Sequence, residues 1–371
     1  MKKIFVLSMM LILSMTTTQS VWANFTDKYI SEQKESYLNF IEYIPAILNW
    51  NLKGGGVTVA VIDDGVWQEH EDLLGQNWVN VKEVAFNNID DDNNGYIDDY
   101  HGWNFVDADS NLAPKGSHAT AVAGIIAARE NDLGIAGIAP EAKIMSLIAC
   151  GDSGCSTKSV IEAIRYAVDN GAKVINLSLG GNGYVGYNVA YDAAIKYAYD
   201  NNVVVVAAAG NGDPSGAGTA GQNLDFIKVS PVSNETDFQN MVIGAGALAN
   251  QKVRARWSNY GPRYVDVWAP GQDILTLSVP LFDDGVSYGY LSGTSFSAPM
   301  VSASVALLRA KYPLARNYEI IDMILSSLTV DGALNVKNVA TVIQGSCKIP
   351  GVRLNVNNGD KVVINAEHLN S

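Results

Sequence analysis

The sequence predicts an α/β fold in which a mostly parallel central sheet carries helices on both faces. Largely apolar runs of strand length, such as 57–62 and 203–209, alternate with segments of helix length. Strands buried on both faces of a parallel sheet have this composition. The chain has 34 glycines and a hydrophobic fraction of 48%, which fits a well-buried globular protein with many tight turns.

Five strands and five helical segments make up this alternation. The predicted strands cover residues 57–62, 144–148, 174–181, 203–209 and 241–247. The predicted helices cover residues 119–128, 159–170, 189–201 and 298–308, and residues 27–43 have helical character. No repeat or proline-rich linker interrupts the series. We therefore predict one domain over residues 24–345 and a short C-terminal tail over residues 346–371.

The first residues have the pattern of a secretory signal. Lys2 and Lys3 precede an apolar run at 4–15, and small side chains stand at Val21 and Ala23, the positions that a signal peptidase reads. The alternative is a retained anchor, but the run is too short to span a bilayer. We predict a signal peptide at 1–23, a secreted or periplasmic protein, and no stable membrane insertion after cleavage.

Net charge and cysteine content indicate which partners and which disulfide the protein can have. The formal net charge of −13 argues against a nucleic-acid partner and fits calcium binding through carboxylates. Cys150 and Cys155 lie close together in a loop rich in glycine, aspartate and serine. In an exported protein this favours a local disulfide over two reduced thiols. The role of Cys347, near the C-terminus, stays open.

Three polar residues stand where an α/β fold places catalytic groups. Asp63 ends a predicted strand, and functional groups collect at the carboxyl ends of parallel strands. His118 and Ser295 open helices of small residues, where the helix dipole favours a neutral histidine and an activated serine. Each residue also has a structural alternative, namely an Asp-Gly turn, a buried structural histidine and a helix cap.

Five motifs follow one another along the chain. They are VAVIDDG at 59–65, GSHATAVAG at 116–124, VINLSLGG at 174–181, VVVVAAAGN at 203–211 and GTSFSAP at 293–299. In this order they resemble the subtilisin-like serine protease family, whose catalytic residues occur as Asp, His and Ser along the chain. The resemblance covers roughly residues 45–340 and implies a three-layer subtilisin-like fold.

The resemblance assigns a role to each motif. It implies that Ser295 is the nucleophile, that His118 is the general base and then the general acid, and that Asp63 orients His118. Asn211 matches the family's oxyanion-hole side chain. Two segments match the walls of the peptide-binding site. They are the strand that pairs with an extended substrate, at Ser178, Leu179 and Gly180, and the facing wall, at Ala208, Ala209 and Gly210.

Two stretches predict calcium sites. Residues 90–98 fit the pattern D-x-D-x-N-G followed by a further carboxylate, which places oxygen ligands at Asp90, Asp92, Asn94 and Asp98. His101 stands where a full EF-hand has glutamate, so we predict a loop site; the alternative is an acidic, solvated loop. The second site rests on the resemblance alone, which implies Asp72 and Asn131 as ligands, with main-chain carbonyls from 129, 133 and 135.

The chain also departs from the family pattern. Only about 40 residues separate the predicted signal cleavage from Asp63, so we expect no folding propeptide. Ala119 stands where the family generally has glycine. Asp64 and residues 297–299 resemble the kexin-like branch, which prefers basic residues before the cut. Asp213 and Asp225 are further acidic candidates near the substrate, although acidic surface loops are common, so substrate preference stays open.

The favoured hypothesis is a secreted serine endopeptidase that hydrolyses protein or peptide substrates through an acyl-enzyme intermediate, with calcium as a structural ion. The alternative is a catalytically weak or inactive homologue that binds peptides, supported by the missing propeptide. A lipase or esterase is excluded, because Ser295 lacks a G-x-S-x-G context and the histidine precedes the serine.

Overall fold

A computed structural model describes residues 26–43, 52–180, 186–212, 220–236, 239–249, 253–280 and 287–342. The predicted signal peptide, Cys347 and the C-terminal tail lie outside these residues. In the described part of the chain, no helix combines the length and the apolar character needed to cross a bilayer.

An eight-stranded sheet forms the centre of the fold. Its strands are β1 (Thr58–Asp63), β2 (Gly102–Asn104), β3 (Lys143–Ile148), β6 (Val174–Leu177), β7 (Val204–Ala208), β8 (Val242–Ala249), β9 (Val253–Arg254) and β10 (Val267–Pro270). The order is β10-β8-β7-β6-β1-β3-β2, with all neighbours parallel, and the short β9 pairs antiparallel with β8. The predicted, mostly parallel sheet is therefore confirmed.

Two hairpins stand apart from this sheet. They are formed by β4 (Cys150–Gly151) with β5 (Gly154–Cys155), and by β11 (Ile274–Leu277) with β12 (Tyr288–Leu291). The first hairpin is closed by the predicted disulfide, in which the sulfur atoms of Cys150 and Cys155 lie 2.03 Å apart.

Seven helices are described around the sheet. They are α1 (Ile30–Gln33), α2 (His118–Ala127), α3 (Thr157–Asp169), α4 (Ala190–Asp200), α5 (Thr294–Lys311), α6 (Asn317–Ser326) and α7 (Val336–Val342). The four helices and five strands with clear sequence patterns are all present, with ends that differ by a few residues. The sequence analysis did not predict the short strands, such as β2 and β10, which have only three or four residues, and it also missed the helices α6 and α7.

The helical segment predicted at 27–43 differs from expectation. Ile30–Gln33 is α-helical and continues into a π-helical turn at Lys34–Leu38, and turns follow at 39–42. Gln33 is buried, and its amide donates to Ala136 O at 2.6 Å and accepts from Ala136 N at 3.1 Å. This tertiary anchor binds the segment to the loop after α2 and overrides the local preference for a longer helix.

Side chains of β1 point alternately to the two faces of the sheet, where the core forms two layers. Val59 and Val61 face one side and join a cluster that contains the apolar residues of α2 and α5. Ala60 and Ile62 face the other side and join the residues of α3 and α4. Because successive strand side chains point to opposite faces, the apolar run of β1 supplies both layers and gives a three-layer fold.

Parallel pairing also positions the candidate site. The carboxyl ends of β1, β6 and β7 lie at one edge of the sheet, so the residues that follow these strands come together there. The first turns of α2 and α5 meet the same edge. Residues separated by more than 200 positions in the sequence are thereby brought into one site.

Candidate active site

Asp63 and His118 form the closest polar contact at this edge. The Nδ1 atom of His118 lies 2.9 Å from Oδ1 and 3.0 Å from Oδ2 of Asp63. The side chain of Asp63 is only 5% exposed, whereas that of His118 is 36% exposed. The carboxylate accepts a hydrogen bond from Nδ1–H. In the neutral ring, Nε2 therefore carries the lone pair and can accept a proton on the open side.

A second carboxylate shapes the environment of His118. Asp64 accepts hydrogen bonds from the main-chain N–H of His118 at 3.3 Å and of Ala119 at 2.7 Å. Asp64 therefore caps α2, for which the preceding residue, Ser117, makes no side-chain cap. Burial and the charge of Asp63 raise the pKa of Asp64 to about 6.

The two carboxylates change the expected behaviour of the histidine. Burial lowers the pKa of His118, but the charge and hydrogen bond of Asp63 and the charge of Asp64 outweigh burial and raise this pKa to about 9. The sequence suggested that the helix dipole keeps His118 neutral. That expectation is not met, because the charge and hydrogen bond of Asp63, and then the charge of Asp64 at the positive end of α2, favour the imidazolium.

Ser295 lies in the first turn of α5 and is paired with Ser178. Its hydroxyl donates to Ser178 O at 3.1 Å, and the Ser178 hydroxyl donates in return to Ser295 O at 2.7 Å. Pro299 explains the second bond, since it lacks the N–H that would otherwise reach back four residues to Ser295 O. In this structure the Ser295 hydroxyl thus faces the β6 segment and has no hydrogen bond to His118.

Asn211 is held by its side-chain oxygen. Oδ1 accepts from the N–H and from the hydroxyl of Thr294, both at 2.9 Å. The hydroxyl of Thr294 accepts in turn from Gly210 N at 3.0 Å. With Oδ1 occupied, Nδ2 is the donor without a partner among the described residues, and it would lie 3.4 Å from a Cβ placed on Gly293, two residues before Ser295. Thr294 was not recognised from the sequence, although it adjoins Ser295.

The two predicted substrate walls face each other across a narrow slot. Ser178, Leu179 and Gly180 follow β6, and Ala208, Ala209 and Gly210 end β7. A Cβ on Gly180 would lie 3.9 Å from Gly210 Cα and 4.0 Å from Ala208 O, so glycine keeps the slot open. Asp225 is exposed, and its Oδ1 accepts from Arg263 N at 3.1 Å. Asp213 lies outside the described residues.

The acidic loop brings together two of the predicted carboxylates and one that was not predicted. Asp90 and Asp92 are joined by Glu83, and one carboxylate oxygen from each lies within 4.8 Å of the others. Oε2 of Glu83 is buried without a hydrogen-bond partner in the described structure. Asn94 remains close, since its N–H donates to Asp90 and Asp92. Such a set of oxygens fits a hard cation such as calcium.

Asp98, which was predicted as a ligand, lies outside this group of carboxylates, and Glu83, which was not predicted, belongs to it. The carboxylate of Asp98 accepts from Asn87 N at 2.9 Å and from Asn88 N at 3.0 Å, so it shapes the loop and is not a member of the group above. Glu83 precedes the repeating pattern, and nothing in the local sequence signals that it turns towards Asp90.

The second predicted metal site contains a buried carboxylate with one free oxygen. Oδ2 of Asp72 accepts from Ile135 N at 2.9 Å, whereas Oδ1 is buried without a partner among the described residues. Asp27, missed in the sequence, accepts from Asn131 N at 3.1 Å. Burial raises the pKa of both Asp27 and Asp72, and the charge of Asp72 adds to the effect at Asp27. Two buried carboxylates of this kind fit a bound cation.

Comparison with known proteins identifies similar chains. The model of the subtilase family, Peptidase S8, matches residues 54–345. A thermophilic serine proteinase from Bacillus sp. (strain AK1) is 37% identical over 266 residues, which is 71% of this chain. The match covers 55% of that proteinase, so the chain spans about half of its length.

Two further relatives are covered more fully. Thermitase from Thermoactinomyces vulgaris is 36% identical over 271 residues, which is 72% of this chain and 80% of thermitase. A solved protease structure from Pseudoalteromonas arctica is 25% identical and superposes with a TM-score of 0.67, covering 86% of this chain and 99% of that one.

Proposed function

The chain belongs to the subtilase family of serine endopeptidases, and we propose that it hydrolyses peptide bonds through Asp63, His118 and Ser295. The observation that carries this proposal is the 2.9 Å contact between His118 Nδ1 and Asp63, made at the sheet edge where Ser295 opens α5. An imidazole oriented by a buried carboxylate, near a serine at a helix start, is the arrangement that acyl transfer requires.

In the proposed reaction, the Ser295 hydroxyl first turns away from Ser178 O towards His118. Nε2 of His118 takes the hydroxyl proton while Oγ attacks the substrate carbonyl. The tetrahedral intermediate collapses, the C–N bond breaks, and His118 returns the proton to the leaving amine. A water molecule then attacks the acyl-enzyme with His118 as base, which releases the acid and restores Ser295.

Negative charge develops on the carbonyl oxygen when Ser295 attacks the substrate and again when water attacks the acyl-enzyme. Hydrogen-bond donors must stabilise this charge in both steps. The proposed donors are Nδ2 of Asn211 and the N–H of Ser295. The main chain of the substrate would add as a strand to Ser178–Gly180, and the side chain before the scissile bond would enter the pocket whose facing wall is Ala208–Gly210. A Cβ built on Gly180 would lie 3.9 Å from Gly210 Cα, and this closeness of the two segments supports their assignment to one pocket.

A fluorophosphonate probe, which reacts only with an activated serine, tests this proposal. The purified protein is expected to be labelled, and Ser295→Ala is expected to abolish the label. A folded protein that does not react favours the second candidate, a peptide-binding homologue without turnover. One observation favours that candidate: the Ser295 hydroxyl donates to Ser178 O and not to His118.

The raised pKa of His118 leads to a pH prediction. A general base acts when neutral, so kcat/KM is expected to rise with pH through about pH 9. Asp64, whose pKa is about 6, is ionised while His118 titrates. Asp64→Asn removes a charge that stabilises the imidazolium, so the pKa of His118 falls and the acid limb moves to lower pH.

The pH profile of kcat/KM in both proteins checks this expectation. Asp200→Asn provides a matched control, because Asp200 pairs with Lys196 on α4, on the other side of the sheet. The control profile is expected to be unchanged. An acid limb that stays in place in Asp64→Asn contradicts a role for the Asp64 charge.

We also propose that the protein is exported and holds calcium as a structural ion. Export is supported by the signal pattern at 1–23 and by the Cys150–Cys155 disulfide, which persists in oxidising compartments. Calcium would be held by Glu83, Asp90 and Asp92 in one loop, and by Asp72, Asp27 and Asn131 in the other site. A bound ion neutralises clustered carboxylates in each place and so supplies stability.

Chelation is expected to destabilise the folded protein. An ion present at 100 times its dissociation constant stabilises the native state by about 2.7 kcal/mol, which corresponds to roughly 4 °C in Tm for a domain of about 300 residues. Thermal melting with EDTA, and with calcium restored, measures the change. Glu83→Gln and Asp72→Asn should each remove part of the response. A Tm that is the same with EDTA and with calcium contradicts both sites.

A further inference from the structure

Asn259 is a buried residue that contacts the turn carrying Asn211. It lies between β9 and β10 and is only 2% exposed. Its side-chain Nδ2 donates to Ala209 O at 2.9 Å, and its Oδ1 accepts from Gly212 N at 3.1 Å. Its main-chain N–H donates to Gly210 O at 3.0 Å. Asn259 thus binds the turn on both sides of Asn211.

The same side chain ties this turn to a second segment. Oδ1 also accepts from Gln222 N at 2.8 Å, so one buried amide joins the 209–212 turn to the segment that begins at residue 220. All of these contacts are to main-chain atoms. The amide therefore constrains where the backbone runs, and it does so whatever side chains the turn carries.

The turn needs an external support because its own residues supply little rigidity. Gly210 has a φ of 93° and Gly212 a φ of 64°, so glycines in the left-handed region flank Asn211 on both sides. Glycine reaches this region without steric cost, and it also leaves it readily. A Cβ on Gly210 would lie 2.7 Å from Asn259 Nδ2, which shows how closely the amide packs on the turn.

We propose that Asn259 is a positioning residue for the oxyanion donor Asn211. The inference rests on the proposed function above. Thr294 fixes the side-chain amide of Asn211 through Oδ1, and Asn259 fixes the backbone from which that side chain projects. Without Asn259 the turn relaxes and Nδ2 of Asn211 no longer meets the oxyanion at hydrogen-bond distance.

The loss is expected mainly in kcat. A displacement of about 1 Å in a catalytic group can cost 10²-fold in rate, so Asn259→Ala should lower kcat by about 10- to 100-fold. Asn259→Asp retains an oxygen for Gly212 N–H and Gln222 N–H, but it replaces the donor to Ala209 O by a second acceptor oxygen. It is therefore expected to retain more activity than Asn259→Ala.

A double-mutant cycle with Asn211→Ala separates positioning from general stabilisation. If Asn259 acts through Asn211, removing Asn259 should matter little in the Asn211→Ala variant, because that variant has no Asn211 amide to misplace. There Asn259→Ala is expected to lower kcat less than threefold. An equal fold-loss in both backgrounds overturns the inference. If Asn259→Ala does not fold, as judged by its melting curve, the same cycle is run with Asn259→Asp.

Asn234 supplies the matched control. It is fully buried, and its amide donates to Asn188 O and Asp192 Oδ1, away from the candidate site. Asn234→Ala is expected to lower Tm and leave kcat unchanged. The unaltered enzyme reports separately on the proposed function: if it does not turn over, that proposal fails, whereas an active enzyme with an additive cycle refutes only the role of Asn259.

Discussion

Replacing Ser295 by alanine is expected to lower kcat for peptide hydrolysis by about 10⁶-fold, the loss that removing the nucleophile causes in subtilisin. Without Oγ no acyl-enzyme forms, and only binding and oxyanion stabilisation are left to assist direct attack by water. The measurement is hydrolysis of an unfolded protein or a fluorogenic peptide by the purified variant, beside the unaltered enzyme.

The variant should remain folded, which makes the kinetic result interpretable. The Ser295 hydroxyl donates only to Ser178 O in the described structure, and the bond from Ser178 to Ser295 O uses the main chain and survives. Ser292→Ala is the matched control, because Ser292 is exposed three residues earlier and only accepts from Asp273 N. Full activity in Ser295→Ala would refute its role as nucleophile.

Much of the fold was predictable because the polarity of the chain is strongly patterned. The strand ends at Asp63 and at 208–211 follow continuous apolar runs, and a parallel sheet brings such ends to one edge. His118 and Ser295 were found because each begins a helix of small residues. These patterns are local, so they can be recognised in the sequence without knowledge of tertiary contacts.

The supporting residues were not predictable for the opposite reason. Asn259 contacts a turn almost 50 positions earlier, and Asp27 contacts Asn131 more than 100 positions later. Each looks like an ordinary polar residue in its own segment. Their roles come from tertiary contacts alone.

The histidine illustrates how a local rule can be overridden. A helix start favours a neutral imidazole, yet the pKa of His118 is raised. Asp64 is responsible in part, because it caps α2 from the end of β1 and adds its charge to that of Asp63. The residue types can be read from the sequence. Whether the pKa of His118 rises or falls, however, depends on how closely the end of β1 approaches the start of α2.

Asn211→Ala should lower kcat by about 10²- to 10³-fold and change KM little, the loss seen when this type of donor is removed from the subtilisin oxyanion hole. The substrate carbonyl gains most of its negative charge only on reaching the tetrahedral state. A donor aimed at that oxygen therefore stabilises the transition state far more than the bound substrate.

Asn211→Asp sharpens this prediction. A carboxylate can still accept from Thr294 N–H and its hydroxyl, so the contacts that hold the side chain are retained. It cannot donate, however, and its charge repels the developing oxyanion. We expect Asn211→Asp to be at least as slow as Asn211→Ala, with a similar KM, when kcat and KM are measured on one peptide. A variant that raises KM and leaves kcat intact would show that Asn211 binds the ground state, and the oxyanion assignment would then be wrong.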